Sequence, residues 1–184
     1  MKTVFVDVDT QLDFLAPAGA LYVPGAEMIV ATLERLTRFA ADQGITIIST
    51  LDTHLEDDPE FQTHGYPAHC VAGTWGHAKT GVTLGAPGQR FIKKASFDCF
   101  ASGELGQLLE TLGAGRYVVY GVVTEICVRC AAMGLLATGA QVELVADAVR
   151  ELDRAKATEF LEKFTAQGGV VTTATQVCAA PPVS

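Results

Sequence analysis

The chain has 184 residues, 49% of them hydrophobic and 18% charged, which is ordinary for one domain with a large apolar core. Its net charge of −8 gives a field that repels nucleic acid, so nucleic-acid binding is not expected. No apolar run reaches the roughly 20 residues of a membrane-spanning helix, and an acid interrupts the N-terminal apolar run too early for a signal peptide. Five irregularly spaced cysteines favour a reduced, cytoplasmic protein. The apolar excess favours a homo-oligomer.

Apolar runs alternate with segments of helical periodicity along most of the chain. The sequence predicts a strand over residues 3–8, an amphipathic helix over 26–44 and a strand over 45–50. Further along it predicts a strand near 91–92, a helix over 103–112, a strand over 117–123, a helix over 124–138, a strand over 142–145, a helix over 153–167 and a strand over 170–173. Residues 179–184 are expected to fray. This alternation predicts one domain over residues 1–184, with a three-layer αβα, Rossmann-like architecture and a central, mainly parallel sheet.

The segment over residues 52–88 breaks this regularity and holds all four histidines of the chain. A loop this long inside a compact domain is usually functional. Because ligands bind at the carboxyl ends of strands in such sheets, the residues just after each strand are the candidates for function.

The first candidate is Asp9, at the end of the first predicted strand. Partial desolvation there suits a general base, although capping of a turn is the commoner role for such an acid. Asp7 and Asp9 also resemble the Asp-x-Asp-x-Thr motif of the haloacid dehalogenase phosphatases. Gln11 stands where that motif has threonine, which breaks the match.

The second candidate is a metal site that begins at Asp52-Thr53-His54. Residues two apart on an extended backbone point the same way, so Asp52 and His54 can share one ion, and the loop can return His69 to it. Carboxylate and imidazole ligands together suit Zn²⁺, Fe²⁺ or Mn²⁺. Solvated loop residues are the alternative interpretation.

The third candidate is a lysine at the end of a strand, Lys93 or Lys94, which can hold a carboxylate charged. One member of this pair is expected to be a solvated surface residue.

The fourth candidate is Cys127, where a predicted strand turns into a helix. Thr124 is a suitable N-cap and places Cys127 in the first turn, where the helix dipole is expected to lower its pKa and backbone N–H groups can form an oxyanion hole. A buried structural cysteine is one alternative. A Cys-x-x-Cys redox pair with Cys130 is another, but thioredoxin-like proteins carry that pair near the N-terminus.

Together the four segments resemble the isochorismatase-like cysteine hydrolases over residues 6 to about 173. Residues 9–14 match the family's Asp-x-Gln-x-Asp-Phe, Lys94 with Phe97 after it matches its lysine motif, and residues 121–128 match Gly-x-x-Thr-[Asp/Glu]-x-Cys-Val. The resemblance implies that the catalytic residues are Asp9, Lys94 and Cys127. It also implies that the N–H groups of Val123 and Cys127 form an oxyanion hole, and that the peptide bond between Val122 and Val123 is cis.

Within this family the chain looks most like the metal-containing nicotinamidases, since Asp52-Thr53-His54 and residues 67–74 match their metal motifs. That resemblance implies one divalent ion, zinc first and iron or manganese as alternatives. It also implies apolar walls at Phe14 and Tyr66, and the ion ligands Asp52, His54, Glu60 and His69, with His64 as the rival of Glu60.

The implied reaction is hydrolysis of a small amide, nicotinamide, through a thioester, a step of NAD metabolism. Another amidase of the family is the main alternative. A dehalogenase-type phosphatase and a Cys-x-x-Cys redox module are weaker ones.

Overall fold

A computed structural model describes residues 1–179 of the chain. The strands are β1 Thr3–Val8, β2 Thr46–Asp52, β3 Arg90–Lys94, β4 Arg116–Val122, β5 Gln141–Arg150 and β6 Val170–Thr172. The α-helices are α1 Leu12–Leu15, α2 Val30–Asp42, α3 Pro59–His64, α4 Glu104–Leu112, α5 Arg129–Ala137, α6 Arg154–Ala166 and α7 Ala174–Ala179. Two 3₁₀ turns cover Ala26–Ile29 and Gly81–Thr83, and a π-helical turn covers Thr124–Val128.

The six strands form one parallel sheet in the order β3-β2-β1-β4-β5-β6. Successive side chains of a strand point to opposite faces, so Val4 and Val6 of β1 join one core cluster while Phe5 joins another. Helices α4, α5 and α6 cover the first face, and α1, α2 and α7 cover the second. The predicted three-layer architecture is therefore confirmed.

Several predicted elements differ from the structure in detail. The irregular segment contains α3, whose N-cap Asp58 and following proline start a helix too short to show periodicity. Strand β5 runs on to Arg150, because it shifts register against β4 and pairs again further along. Helices α1 and α7 are additional to the prediction. The expected fraying over 180–184 lies outside the described residues. Within residues 1–179, no helix is long and apolar enough to cross a membrane.

The ends of β1 and β4 approach each other closely at Gly121. Its φ of 118° is a conformation that favours glycine, and a Cβ here would overlap the carbonyl oxygen of Val8. The peptide bond between Val122 and Val123 is cis, as the family resemblance implies. This close approach sets Asp9, which follows β1, beside the turn that carries the candidate nucleophile.

Candidate active site

Four predicted site residues meet at the carboxyl ends of β1 to β4. The ammonium of Lys94 lies 2.8 Å from Asp9 Oδ2, 3.0 Å from Asp52 Oδ1 and 3.6 Å from Cys127 Sγ. All four side chains are buried, whereas Lys93 is exposed. The ammonium of Lys94 therefore contacts the Asp9 carboxylate, the Cys127 thiol and the Asp52 carboxylate at once.

The charges of this group determine which members are ionised at rest. Burial lowers the pKa of Lys94, but the charges of Asp9 and Asp52 outweigh burial and hold this pKa well above its ordinary value. Burial raises the pKa of Asp52, but the charge of Lys94 and the hydrogen bonds of two histidines hold it well below its usual range. Lys94 and Asp52 are therefore an ion pair.

The thiol of Cys127 differs from the sequence-based expectation of a lowered pKa. Burial raises its pKa well above the ordinary value, and the nearby charge of Asp9 raises it further, although Lys94 acts in the opposite direction. A helix terminus stabilises a thiolate in a partly exposed site, but here the loss of hydration dominates. The thiol is thus protonated at rest and needs a base.

Asp9 is held in an unusual backbone conformation by a residue that sequence reasoning missed. Its φ is 49°, a left-handed conformation that is uncommon for residues other than glycine. The hydroxyl of Thr50 donates to Asp9 Oδ1 at 2.6 Å and accepts the Asp9 N–H at 3.1 Å. No local pattern marks Thr50, because the contact depends on β1 lying beside β2.

The turn Thr124–Val128, just before α5, is π-helical, and Val123 occupies its N-cap position. The hydroxyl of Thr124 is buried and has no hydrogen-bond partner within residues 1–179, so the prediction that Thr124 caps this helix is wrong. The carbonyl of Val123 instead accepts the N–H groups of Ile126 and Val128, each at 3.1 Å. This irregular turn carries the cysteine at the edge of the sheet.

The predicted metal ligands Asp52, His54 and His69 converge. Asp52 Oδ2 lies 3.1 Å from His54 Nε2 and 3.2 Å from His69 Nε2, and ligand atoms of the three lie within 4.8 Å of one another. The opposite ring nitrogens are occupied, since His54 Nδ1 lies 3.0 Å from Asp58 Oδ2 and His69 Nδ1 lies 2.9 Å from the Pro67 carbonyl. Two imidazoles and a carboxylate, all buried, fit a divalent ion.

Glu60 and His64 were rivals for a further ligand position, and their surroundings differ. Glu60 is half-buried and forms a second possible metal-binding group with His54 and Asp58. His64 is exposed, belongs to neither group, and packs its ring 4.7 Å from that of Phe97. Glu60 therefore shares His54 with the group of Asp52, His54 and His69 without belonging to it, and its place as a further ligand stays a prediction.

Aromatic rings surround the two histidines. The ring of Phe14 lies 5.7 Å from that of His69, and the ring of Tyr66 lies 6.2 Å from the His69 ring. Phe61 lies 5.0 Å from His54, while Phe97 lies 6.3 Å from Tyr66. Phe14 and Tyr66 thus both contact His69, and Phe61 and Phe97 extend this cluster of rings; the role of Phe14 and Tyr66 as substrate walls stays a prediction.

Two residues of the first motif hold the histidine-bearing segment in place. The Gln11 side chain accepts the Asp52 N–H at 2.7 Å and donates to the Asp52 carbonyl at 2.8 Å. The amide thus makes the same pair of hydrogen bonds to the Asp52 backbone that a neighbouring strand would make. Asp13 accepts the N–H of Cys70 at 2.7 Å, directly after His69. These bonds fix the backbone at or beside two candidate ligands to the segment that follows β1.

Comparison with known proteins agrees with this geometry. The Isochorismatase domain model matches residues 3–176. The chain belongs to the isochorismatase family. A solved pyrazinamidase of Pyrococcus horikoshii in complex with zinc is 30% identical, with 94% of this chain and 99% of that chain covered and a TM-score of 0.87.

Two curated relatives are also similar. Nicotinamidase of Saccharomyces cerevisiae is 26% identical over 83% of this chain and 89% of its own length. A probable inactive nicotinamidase of Arabidopsis thaliana is 28% identical over 70% of this chain and 69% of its own length. This isochorismatase-family protein is therefore a hydrolase with nicotinamidase-like relatives.

Proposed function

We propose that this protein is a metal-containing cysteine amidohydrolase that converts nicotinamide to nicotinate and ammonia through a thioester on Cys127. The observation that carries the proposal is the position of Lys94, which lies within 3.0 Å of both Asp9 and Asp52 and 3.6 Å from the Cys127 thiol. That contact joins a nucleophile and its base to a candidate metal site. Similarity to nicotinamidases and to a zinc-bound pyrazinamidase supports the choice of substrate.

The first half of the reaction forms the thioester and releases ammonia. Asp9 takes the proton of Cys127, and the sulfur attacks the amide carbonyl. The N–H groups of Val123 and Cys127 hold the oxyanion that forms. Asp9 returns the proton to the departing nitrogen as the C–N bond breaks, while Lys94 stabilises its regained negative charge.

The second half hydrolyses the thioester. Asp9 accepts a proton from water, the hydroxide adds to the acyl carbon, and the C–S bond breaks. Asp9 returns that proton to the sulfur of Cys127, the acid product leaves as nicotinate after it loses its own proton to solvent, and the resting site is restored. Phe14 and Tyr66 exclude bulk water from the substrate ring.

A divalent ion held by Asp52, His54 and His69, with Glu60 as a further ligand, would supply a Lewis-acidic binding point for the pyridine nitrogen. Zinc is the first choice, and iron or manganese are alternatives. In this role the metal site orients the substrate ring.

The experiment measures ammonia release by the purified protein from nicotinamide and from benzamide. Benzamide has the same shape but lacks the ring nitrogen, so it is a matched control for the orienting role of the ion. We expect nicotinamide turnover that chelation reduces, and weaker benzamide turnover that chelation changes little. Equal turnover of both amides would favour another amidase of the family. The phosphatase alternative would be favoured if the protein hydrolyses no amide but cleaves a phosphate ester, and if this cleavage continues after the thiols have been alkylated.

The composition further favours a homo-oligomer and a cytoplasmic location, and both remain predictions.

A further inference from the structure

We propose that Asp58 is a positioning residue for the metal site: its carboxylate holds the Nδ1 side of His54 so that Nε2 faces Asp52 and His69. This inference rests on the metal-binding part of the proposed function. No sequence pattern singles out Asp58, which lies in the acidic run Glu56-Asp57-Asp58.

Both carboxylate oxygens of Asp58 are occupied, each by a different part of the site. Oδ2 lies 3.0 Å from His54 Nδ1, and Oδ1 accepts the Glu60 N–H at 2.9 Å as the N-cap of α3. His54 is fully buried at its side chain, whereas the Asp58 side chain keeps 17% of its exposure. Asp58 therefore fixes a buried imidazole from the protein surface and connects it to the helix that carries Glu60.

The chemistry of this contact determines which nitrogen of His54 can bind a cation. A carboxylate only accepts hydrogen bonds, so Nδ1 must carry a proton, and the neutral ring then has its lone pair on Nε2. His69 is arranged alike, with Nδ1 donating to the carbonyl of Pro67. The Nε2 atoms of His54 and His69 both face Asp52 Oδ2, at 3.1 and 3.2 Å, so the nitrogen that each ring would offer to a cation is turned toward the third candidate ligand. A carboxylate partner also makes the imidazole a more basic ligand than a carbonyl partner does.

The rival arrangement places an ion among His54, Asp58 and Glu60, which also form a possible metal-binding group. In that arrangement Asp58 would be a ligand. Two observations favour the positioning role. The group of Asp52, His54 and His69 is buried throughout, whereas Asp58 and Glu60 are only half-buried. The second oxygen of Asp58 is also already used to cap α3.

The test compares Asp58→Asn with the wild-type protein by chelator competition and by the absorption spectrum of the Co²⁺-loaded form. The amide has a single oxygen, so it cannot accept from His54 and cap α3 together. We expect one ion per chain in both proteins, with affinity about 10- to 100-fold weaker in the variant. Excess metal should restore most of kcat, because Asp58 does not touch the substrate.

Three control variants separate this role from general effects. Asp58→Ser keeps a capping oxygen but is too short to reach His54, so it should lose affinity like Asp58→Asn even if the asparagine folds poorly. Asp153→Asn alters the equivalent N-cap of α6, which has no histidine contact, and should leave metal affinity unchanged. Asp57→Asn removes an exposed neighbouring charge and should also leave it unchanged.

Three results would overturn the inference, and they are distinguishable. Unchanged affinity in Asp58→Asn and Asp58→Ser, with one ion in the wild type, rejects the role of Asp58 and leaves the metal site standing. Loss of the ion in Asp58→Asn and Glu60→Gln, but not in Asp52→Asn, assigns the ion to the rival group. A wild-type protein that binds no divalent ion rejects the metal site itself, and the role of Asp58 with it.

Discussion

The hydroxyl of Thr50 offers the sharpest test of how the catalytic base is held. It makes two bonds to Asp9, one to the carboxylate at 2.6 Å and one from the backbone N–H at 3.1 Å. Thr50→Val keeps the shape of the side chain and removes only this oxygen. Both partner groups belong to a fully buried residue, so water cannot readily replace the lost bonds.

The size of the effect follows from these two bonds. A hydrogen bond to a charged group is worth about 1.5–3 kcal/mol, and a buried N–H left without a partner costs about 1–3 kcal/mol. We therefore expect the free energy of unfolding to fall by about 2.5–6 kcal/mol. If the bond to Asp9 Oδ1 also holds the base in its working position, kcat/KM should fall about 10- to 150-fold.

The assay pairs urea unfolding with ammonia release from nicotinamide. Thr50→Ser keeps the hydroxyl and should lie close to the wild type in both measurements. Thr37→Val is the matched control, because the Thr37 hydroxyl is also buried but donates to the Leu33 carbonyl at 2.9 Å, outside the site. It should lower stability and leave kcat/KM unchanged. If Thr50→Val behaves like Thr37→Val, the reasoning about Asp9 is refuted.

Four further predictions concern the nucleophile, pH, the strand contact and assembly. Cys127→Ala should lower amide turnover by about 10⁴-fold or more with metal content unchanged, whereas Cys130→Ser should be mild; equal losses would favour a dithiol. In metal-free protein, burial lowers the pKa of His54 but its bonds with two aspartates raise it from 6.5 to about 9. The stabilisation of the folded state by protonated His54 is thus complete below pH 6.5 and is lost as pH rises through about 9, so the free energy of unfolding should fall by up to about 3 kcal/mol over this range. Urea unfolding at several pH values measures this fall. His54→Gln should make the free energy of unfolding nearly independent of pH in this range, and a wild-type protein without the fall would contradict the prediction. Gly121→Ala should cost about 2–4 kcal/mol in unfolding experiments, from its strained φ and overlap with a carbonyl, and a loss within error would contradict the close approach. Light scattering should give at least twice the mass of one chain, and a monomer at micromolar concentration would refute the oligomer.

The order of strands and helices along the chain was enough to predict the sheet and the place of the site. Alternating strands and helices require parallel strands, and parallel strands end at one edge, so residues after four different strands had to meet there. That argument, with the family motifs, brings Asp9, Asp52, Lys94 and Cys127 together, and the structure places them in contact. Alternate positions on an extended backbone likewise account for the pairing of Asp52 with His54.

How these groups are held and charged depends on contacts that form when the chain folds. Thr50 contacts Asp9 because β1 lies beside β2, and Asp58 contacts His54 because a short helix begins there; neither relation has a local signal in the sequence. The pKa of the Cys127 thiol likewise could not be predicted from the local sequence. Its position in a helical turn predicted a lowered pKa, yet burial raises it. A pKa is the sum of lost hydration and of every nearby charge, and that sum exists only once the chain has folded.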